Sequence, residues 1–139
     1  LEAMFPSMIE HRCSVGTRGG FFERVDEGTW MGHVIEHIAL EMQTLAGMDT
    51  GFGRTRGTGK EGEYYVCISY MEEDAGVYAA KAAVRVAQAL TDAVDYDLAD
   101  DIMKLREIRE DTRLGSSSGC IVDKNKKRGN YRRQDCQVL

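Results

Sequence analysis

No apolar run in this sequence of 139 residues approaches the ~20 needed to cross a bilayer, and no charged segment leading into an apolar one opens it. Neither a membrane span nor a secretory leader is expected, and the expected location is cytoplasmic. The four cysteines, Cys13, Cys67, Cys120 and Cys136, include no Cys-x-x-Cys pair, which removes the zinc ribbon and the dithiol redox motif. A glycine-rich phosphate loop of the Walker type is also missing, so the chain is not expected to bind nucleotide through one. Histidine is scarce, present only as His11, His33 and His37.

What is there is the composition of an ordinary globular domain, 42% hydrophobic and 29% charged, in a length that suits one domain or one domain with a fragment of the next. The net charge of -5 is unevenly spread. From Gly115 onward six basic residues (Lys124, Lys126, Lys127, Arg128, Arg132, Arg133) face two acids, a balance of +4 that leaves -9 for the rest. Without interleaved aromatics or an RNA-binding motif this stretch reads as a solvated helix face, and no nucleic-acid partner is expected. The first residue is Leu1 and not Met, which points to a piece of a longer protein.

The stretch from Trp30 to Met42 carries the chemistry. At about 100° per residue His33, His37 and Thr44 fall on one stripe, flanked by Glu36 and Glu41. Met31, Val34, Ile35, Ile38, Met42 and Leu45 take the opposite side. Thr29 is the expected N-cap and Gly47 the expected stop. The His-x-x-Glu-His order is the inverted zinc-peptidase signature, in which two histidines hold the metal and the glutamate serves the attacking water.

Around this helix, Met8 to Val15 reads as a short strand that would put His11 and Cys13 on one side. A glycine-rich loop follows, and Phe21 to Val25 leads to a turn at Asp26-Glu27-Gly28. Gly51 to Gly59, with Arg54 and Arg56 at alternate positions, is expected as one arm of a hairpin whose other arm is Tyr64 to Met71. Glu72-Glu73-Asp74 begins an alanine-rich helix whose small face suits close packing on a sheet, with Tyr78, Ala82, Val86 and Leu90 buried. Asp97 caps a further helix through Leu98, Ile102, Leu105 and Ile108. Beyond Gly115 the expectation is a short helix to Arg128, a turn at Gly129-Asn130 and a strand from Tyr131. The predicted fold is α+β, a small antiparallel sheet packed against two or three helices, with a domain over residues 1–114 and a partial segment of the next over 115–139.

A catalytic zinc ion takes three protein ligands and leaves a fourth position for water. His33 and His37 supply two. Cys13 is the preferred third, with His11 as the alternative and Glu41 less well placed. Glu36, on the flank of the stripe, is the candidate base. The competing account has His33 and His37 hydrogen-bonded to Glu36 and Glu41 with no metal. Arg18, Arg54 and Arg56 suit bidentate binding of carboxylates or phosphates, and Glu72, Glu73 and Asp74 suit a guanidinium ligand.

Glu10 to Ser14, Gly19-Gly20-Phe21, Glu27 to Glu41, Leu45-Ala46-Gly47 and Gly51 to Arg56, in that order, closely resemble the N-terminal region of the cyanophycin synthetases. The resemblance runs from about Ile9 to Tyr70 and continues more loosely through the alanine-rich helix. Leu114 to Ser118 and the basic stretch after it look like the lead-in to that family's ATP-grasp domain. The resemblance implies a large cytoplasmic ligase, a homo-oligomer at full length, that uses ATP and Mg2+ in domains outside this chain to build an Asp/Arg polymer. It further implies an N-terminal domain that handles the polymer, whose alternating carboxyl and guanidinium groups would suit Arg18, Arg54 and Arg56 with Glu72 and Glu73. Two functions compete: a polymer-binding module with structural histidines, or a zinc-dependent hydrolase that cuts the polymer backbone to make primers.

Overall fold

A computed structural model of the protein describes residues 1–117 and 136–138. The His-x-x-Glu-His segment folds as a helix, α2 (Met31–Leu45), every residue of which from Ile35 to Gln43 is buried. A helix enclosed on all sides is the centre of a core and not a surface element. Only its ends escape: Met31 and Leu45, expected in the apolar face, are exposed. Trp30, and not Thr29, takes the N-cap position. The helix ends as expected at Gly47, whose φ of +81° lets the Gly47 and Met48 amides turn back to the carbonyls of Thr44 and Gln43.

The chain before α2 is helical turns and not the expected strand. Pro6–Glu10 and Cys13–Val15 are 3₁₀ turns, and α1 (Gly20–Asp26) follows. Pro6 occupies the first turn, where its missing N–H costs nothing, and the backbone closes local bonds such as His11 N–H to Met8 O at 2.9 Å. Cys13 itself has φ +51°, a left-handed conformation that no regular strand contains.

Three antiparallel strands in the order β1-β2-β3 form the sheet: β1 (Gly53–Gly57), β2 (Tyr64–Ile68) and β3 (Cys136–Val138). β2 is shorter than the run expected to Met71. Val66 and Ile68 are buried, and both β1 and β2 pack on α2. The alanine-rich helix α3 (Glu73–Thr91) buries Ala75, Ala79, Ala82 and Ala83. Its small face lies on α2 and not on the sheet as expected, and Tyr78 and Leu90 are half-buried.

α4 (Ala99–Ser117) begins where Asp97 Oδ1 accepts the Ala99 amide at 2.9 Å, as expected. Leu105 is fully buried. From α4, Arg106 and Arg109 donate to the carbonyls of Leu45, Ala46 and Gly47, cations placed against the negative end of α2. The short helix expected to Arg128, the turn after it and the basic residues lie outside the described residues. The α+β expectation holds: the sheet and α3 sandwich α2, and α4 braces its end.

Candidate metal centre

Cys13, His33 and His37 converge, their donor atoms all within 4.8 Å of one another. Cys13 Sγ and His33 Nε2 are 3.1 Å apart, as are His33 Nε2 and His37 Nε2. The i, i+4 spacing on α2 stacks the two imidazoles on one side, and the left-handed backbone of Cys13 belongs to the rare strained conformations that concentrate at functional sites.

The outward nitrogens are held. His33 Nδ1 is 2.8 Å from Thr29 Oγ1, which is what that threonine does in place of capping. His37 Nδ1 is 2.8 Å from His11 Nδ1, and His11 Nε2 is 2.9 Å from Glu41 Oε2. His11 thus stands between Glu41 and His37 and fixes the His37 ring with its Nε2 facing inward, toward His33. Ser7 donates to the other Glu41 oxygen. Phe21, fully buried, stacks on the His37 ring at 4.1 Å between centroids and meets His33 edge-on at 5.7 Å.

These environments favour the neutral form of His33 and His37. Burial, then the neighbouring His33 and His11, pushes His37 down to about 3. Burial and the charge of Arg24 lower His33. Burial raises Glu41, but hydrogen bonds from His11 and Ser7 and the charge of His11 outweigh it and hold that carboxyl low. Glu36 goes the other way: burial raises its pKa, and the one hydrogen bond from Thr55 Oγ1, at 2.6 Å to Oε2, does not offset it. Gly53 packs against it, and a Cβ there would sit 2.5 Å from Glu36 Oε1 and push that side chain out of place.

The inward nitrogens of two imidazoles lie 3.1 Å apart with a thiol 3.1 Å from one of them, three donor atoms that one cation can gather. Zinc bonded at about 2.0 to 2.3 Å sets tetrahedral donors roughly 3.3 to 3.6 Å apart, and two of the three pairs here stand at 3.1 Å with the third within 4.8 Å. The donor set of two imidazoles and a thiol fits zinc with one coordination position remaining.

The cluster opens into a cleft of about 690 Å³ whose floor is α2 and whose walls are residues 10–14 and 50–55. Glu36 and Arg54 line it along with Cys13, His33 and His37. Arg56, like Arg54, is exposed on β1. Arg18 is exposed and paired with Glu10 at 2.8 Å. Glu72 and Glu73 stand at the start of α3 and are not among the cleft's lining residues. Phe21, Ser7 and Thr55 were not singled out by sequence reasoning, and Thr29 only as a helix cap. A hydroxyl four residues before His33 is the one local signal among them; the others arrive through tertiary contact.

Residues 1–92 match the family described as the cyanophycin synthase-like N-terminal domain. Cyanophycin synthetases from Synechocystis sp. and Trichormus variabilis are each 50% identical, over 125 and 132 residues, or 88% and 93% of this chain. The cyanophycin synthetase of Crocosphaera subtropica is 46% identical over 125 residues. The chain spans 14% of the length of each of these relatives. Among the described residues no helix is long and apolar enough to cross a membrane. By these matches, the chain belongs to the cyanophycin synthase-like N-terminal domain family.

Proposed function

We propose that this domain is a zinc-dependent amide hydrolase that cuts the backbone of the Asp/Arg polymer made by its parent ligase. The observation that carries the reading is the convergence of Cys13 Sγ, His33 Nε2 and His37 Nε2 on one cleft that also holds the buried Glu36. In this reading Cys13, His33 and His37 are the ligands. His11, held by Glu41, is the residue that orients His37, since both of its ring nitrogens are already engaged. The ion, when bound, supplies Lewis-acid chemistry, acidifying a water and polarising an amide carbonyl.

The chain's own residues do the rest. Glu36 takes a proton from the attacking water and gives it to the amine nitrogen as the C–N bond breaks, so hydrolysis ends with one new carboxylate and one new amine. Its raised pKa makes it a stronger base for the proton it must accept and then return. Thr55 holds Oε2, and the missing side chain at Gly53 leaves room over Oε1. Arg54 offers a guanidinium to substrate carboxylates at the cleft, with Arg56 and Arg18 extending that surface; Glu72 and Glu73 would meet guanidinium groups farther along the polymer.

The second reading is a binding module that holds polymer near the synthetic sites without cutting it, favoured by the two exposed arginines on β1. On either account we propose that residues 1–114 form the domain and 115–139 lead into an ATP-grasp domain. ATP and Mg2+ then belong to the parent, a cytoplasmic homo-oligomer. Incubation of the zinc-loaded chain with polymer, wild type beside Glu36→Gln, separates the readings by counting new chain ends. The hydrolase reading expects cleavage by wild type and a loss of about 10³-fold in the variant. Binding without cleavage, or equal cleavage by both, sinks it.

A further inference from the structure

The wall of the cleft formed by residues 50–55 ends in an edge strand. In the order β1-β2-β3, β2 covers one side of β1, and no strand among the described residues covers the other. The phase of the hydrogen bonding tells which backbone groups are left over. Ser69 N–H donates to Phe52 O at 2.8 Å and Thr58 N–H to Glu63 O at 3.1 Å. With the register Arg54↔Cys67 and Arg56↔Tyr65, the residues bonded to β2 are therefore the even-numbered ones. In an antiparallel pair the alternate residues turn their N–H and C=O the other way. Gly53 and Thr55 therefore present their backbone groups to the open edge, and both line the cleft.

These are also the two β1 residues that touch Glu36, Thr55 through its hydroxyl and Gly53 through its bare Cα. A backbone laid along this edge would thus run past the candidate base and over the floor that carries His33 and His37. Residues 10–14, with Cys13 among them, stand across from it. The bonds an added strand makes are main-chain bonds, independent of its side chains, while its alternating substituents fall on the two faces of the sheet.

We infer that the free edge of β1 binds the substrate as an added strand, an extended polypeptide backbone hydrogen-bonded to Gly53 and Thr55 so that its scissile amide lies beside Glu36. This rests on the hydrolase reading and names the form in which that site takes its substrate. The occupant is the extended aspartate backbone of the polymer, with its charged branches to either side. Alternate branches lie on the face of Arg54 and Arg56, whose guanidiniums complement their carboxylates.

The test is amide hydrogen exchange, read by NMR, on the zinc-loaded Glu36→Gln chain with and without a saturating short Asp/Arg oligomer. The inference expects exchange at Gly53 and Thr55 to slow by at least about tenfold while Arg54 and Arg56, already bonded to β2, stay unchanged. A second measurement avoids the substitution. Wild type should cut an oligomer N-methylated at the amide facing Gly53 or Thr55 at least about tenfold more slowly than the parent oligomer, for loss of one buried main-chain bond. If wild type cleaves the oligomer but slowing is absent, or equal at all four positions, the edge assignment is overturned and the hydrolase stands. If wild type does not cleave it at all, the hydrolase reading falls and this inference falls with it.

Discussion

Two polar clusters among the described residues, one around Asp101 and one around His37, are built on opposite rules. Between α3 and α4, Asp101 accepts Tyr78 Oη at 2.7 Å and Arg85 at 2.6 Å on one oxygen and Tyr96 Oη at 2.6 Å on the other. Every partner is a residue of the chain, and the carboxylate is complete. Burial alone would raise its pKa, but the hydrogen bonds from Tyr96, Tyr78 and Arg85 and the Arg85 charge outweigh that and lower it. Beside α2 the outward atoms of His33 and His37 are satisfied in the same way, yet their inward atoms face each other and Cys13 Sγ, whose one other partner among the described residues is the exposed Ser14 Oγ at 3.8 Å. A satisfied network is a brace between helices. A network whose metal-ligating atoms converge on one point is half of a site, and its other half is a ligand.

The first way to break this comparison is through the two carboxylates with opposite shifts. Glu36→Gln keeps the hydrogen bond to Thr55 and removes the base, so polymer cleavage should fall about 10³-fold with the thermal midpoint held. Asp101→Ala should do the reverse. It strips Arg85 and two tyrosines of a shared acceptor and should cost about 3 kcal/mol in denaturant unfolding, with zinc content unchanged. Glu41→Gln tests whether His11 is a positioning residue. Zinc affinity measured by competition with a chelator should weaken by about 10- to 100-fold, with the domain still folded.

The smallest effect is in pH. Because the folded pKa of Asp101 lies below its ordinary value, its stabilisation is fully present above about pH 4 and is lost as pH falls through the lower folded value. Unfolding midpoints between pH 6 and 2 should drop more steeply for wild type than for Asp101→Asn. Parallel curves for the two would remove Asp101 from the brace.

Periodicity and end signals made α2, β1, α3 and the start of α4 legible, because each carries a repeat of 3.6 or 2 over several residues and a recognisable terminus. Met8 to Val15 shows why the rest was not. Its alternation matched a strand, but Pro6 and the left-handed Cys13 fold it into two turns. Cys13 and His11 nevertheless reach the cleft that the strand reading put them near. Thr29 looked like a cap because hydroxyls before helices usually are, and it instead holds His33. The Glu41–His11 contact spans thirty positions in the chain, and the Phe21–His37 stack joins two helices. No local pattern encodes either.

The most direct test of the contrast is metal analysis of the purified chain after exposure to zinc and desalting, compared across wild type, His37→Ala and Asp101→Ala. One zinc per chain in wild type and Asp101→Ala, and none in His37→Ala, is the predicted result. Wild type without zinc, or His37→Ala retaining as much as wild type, would contradict it.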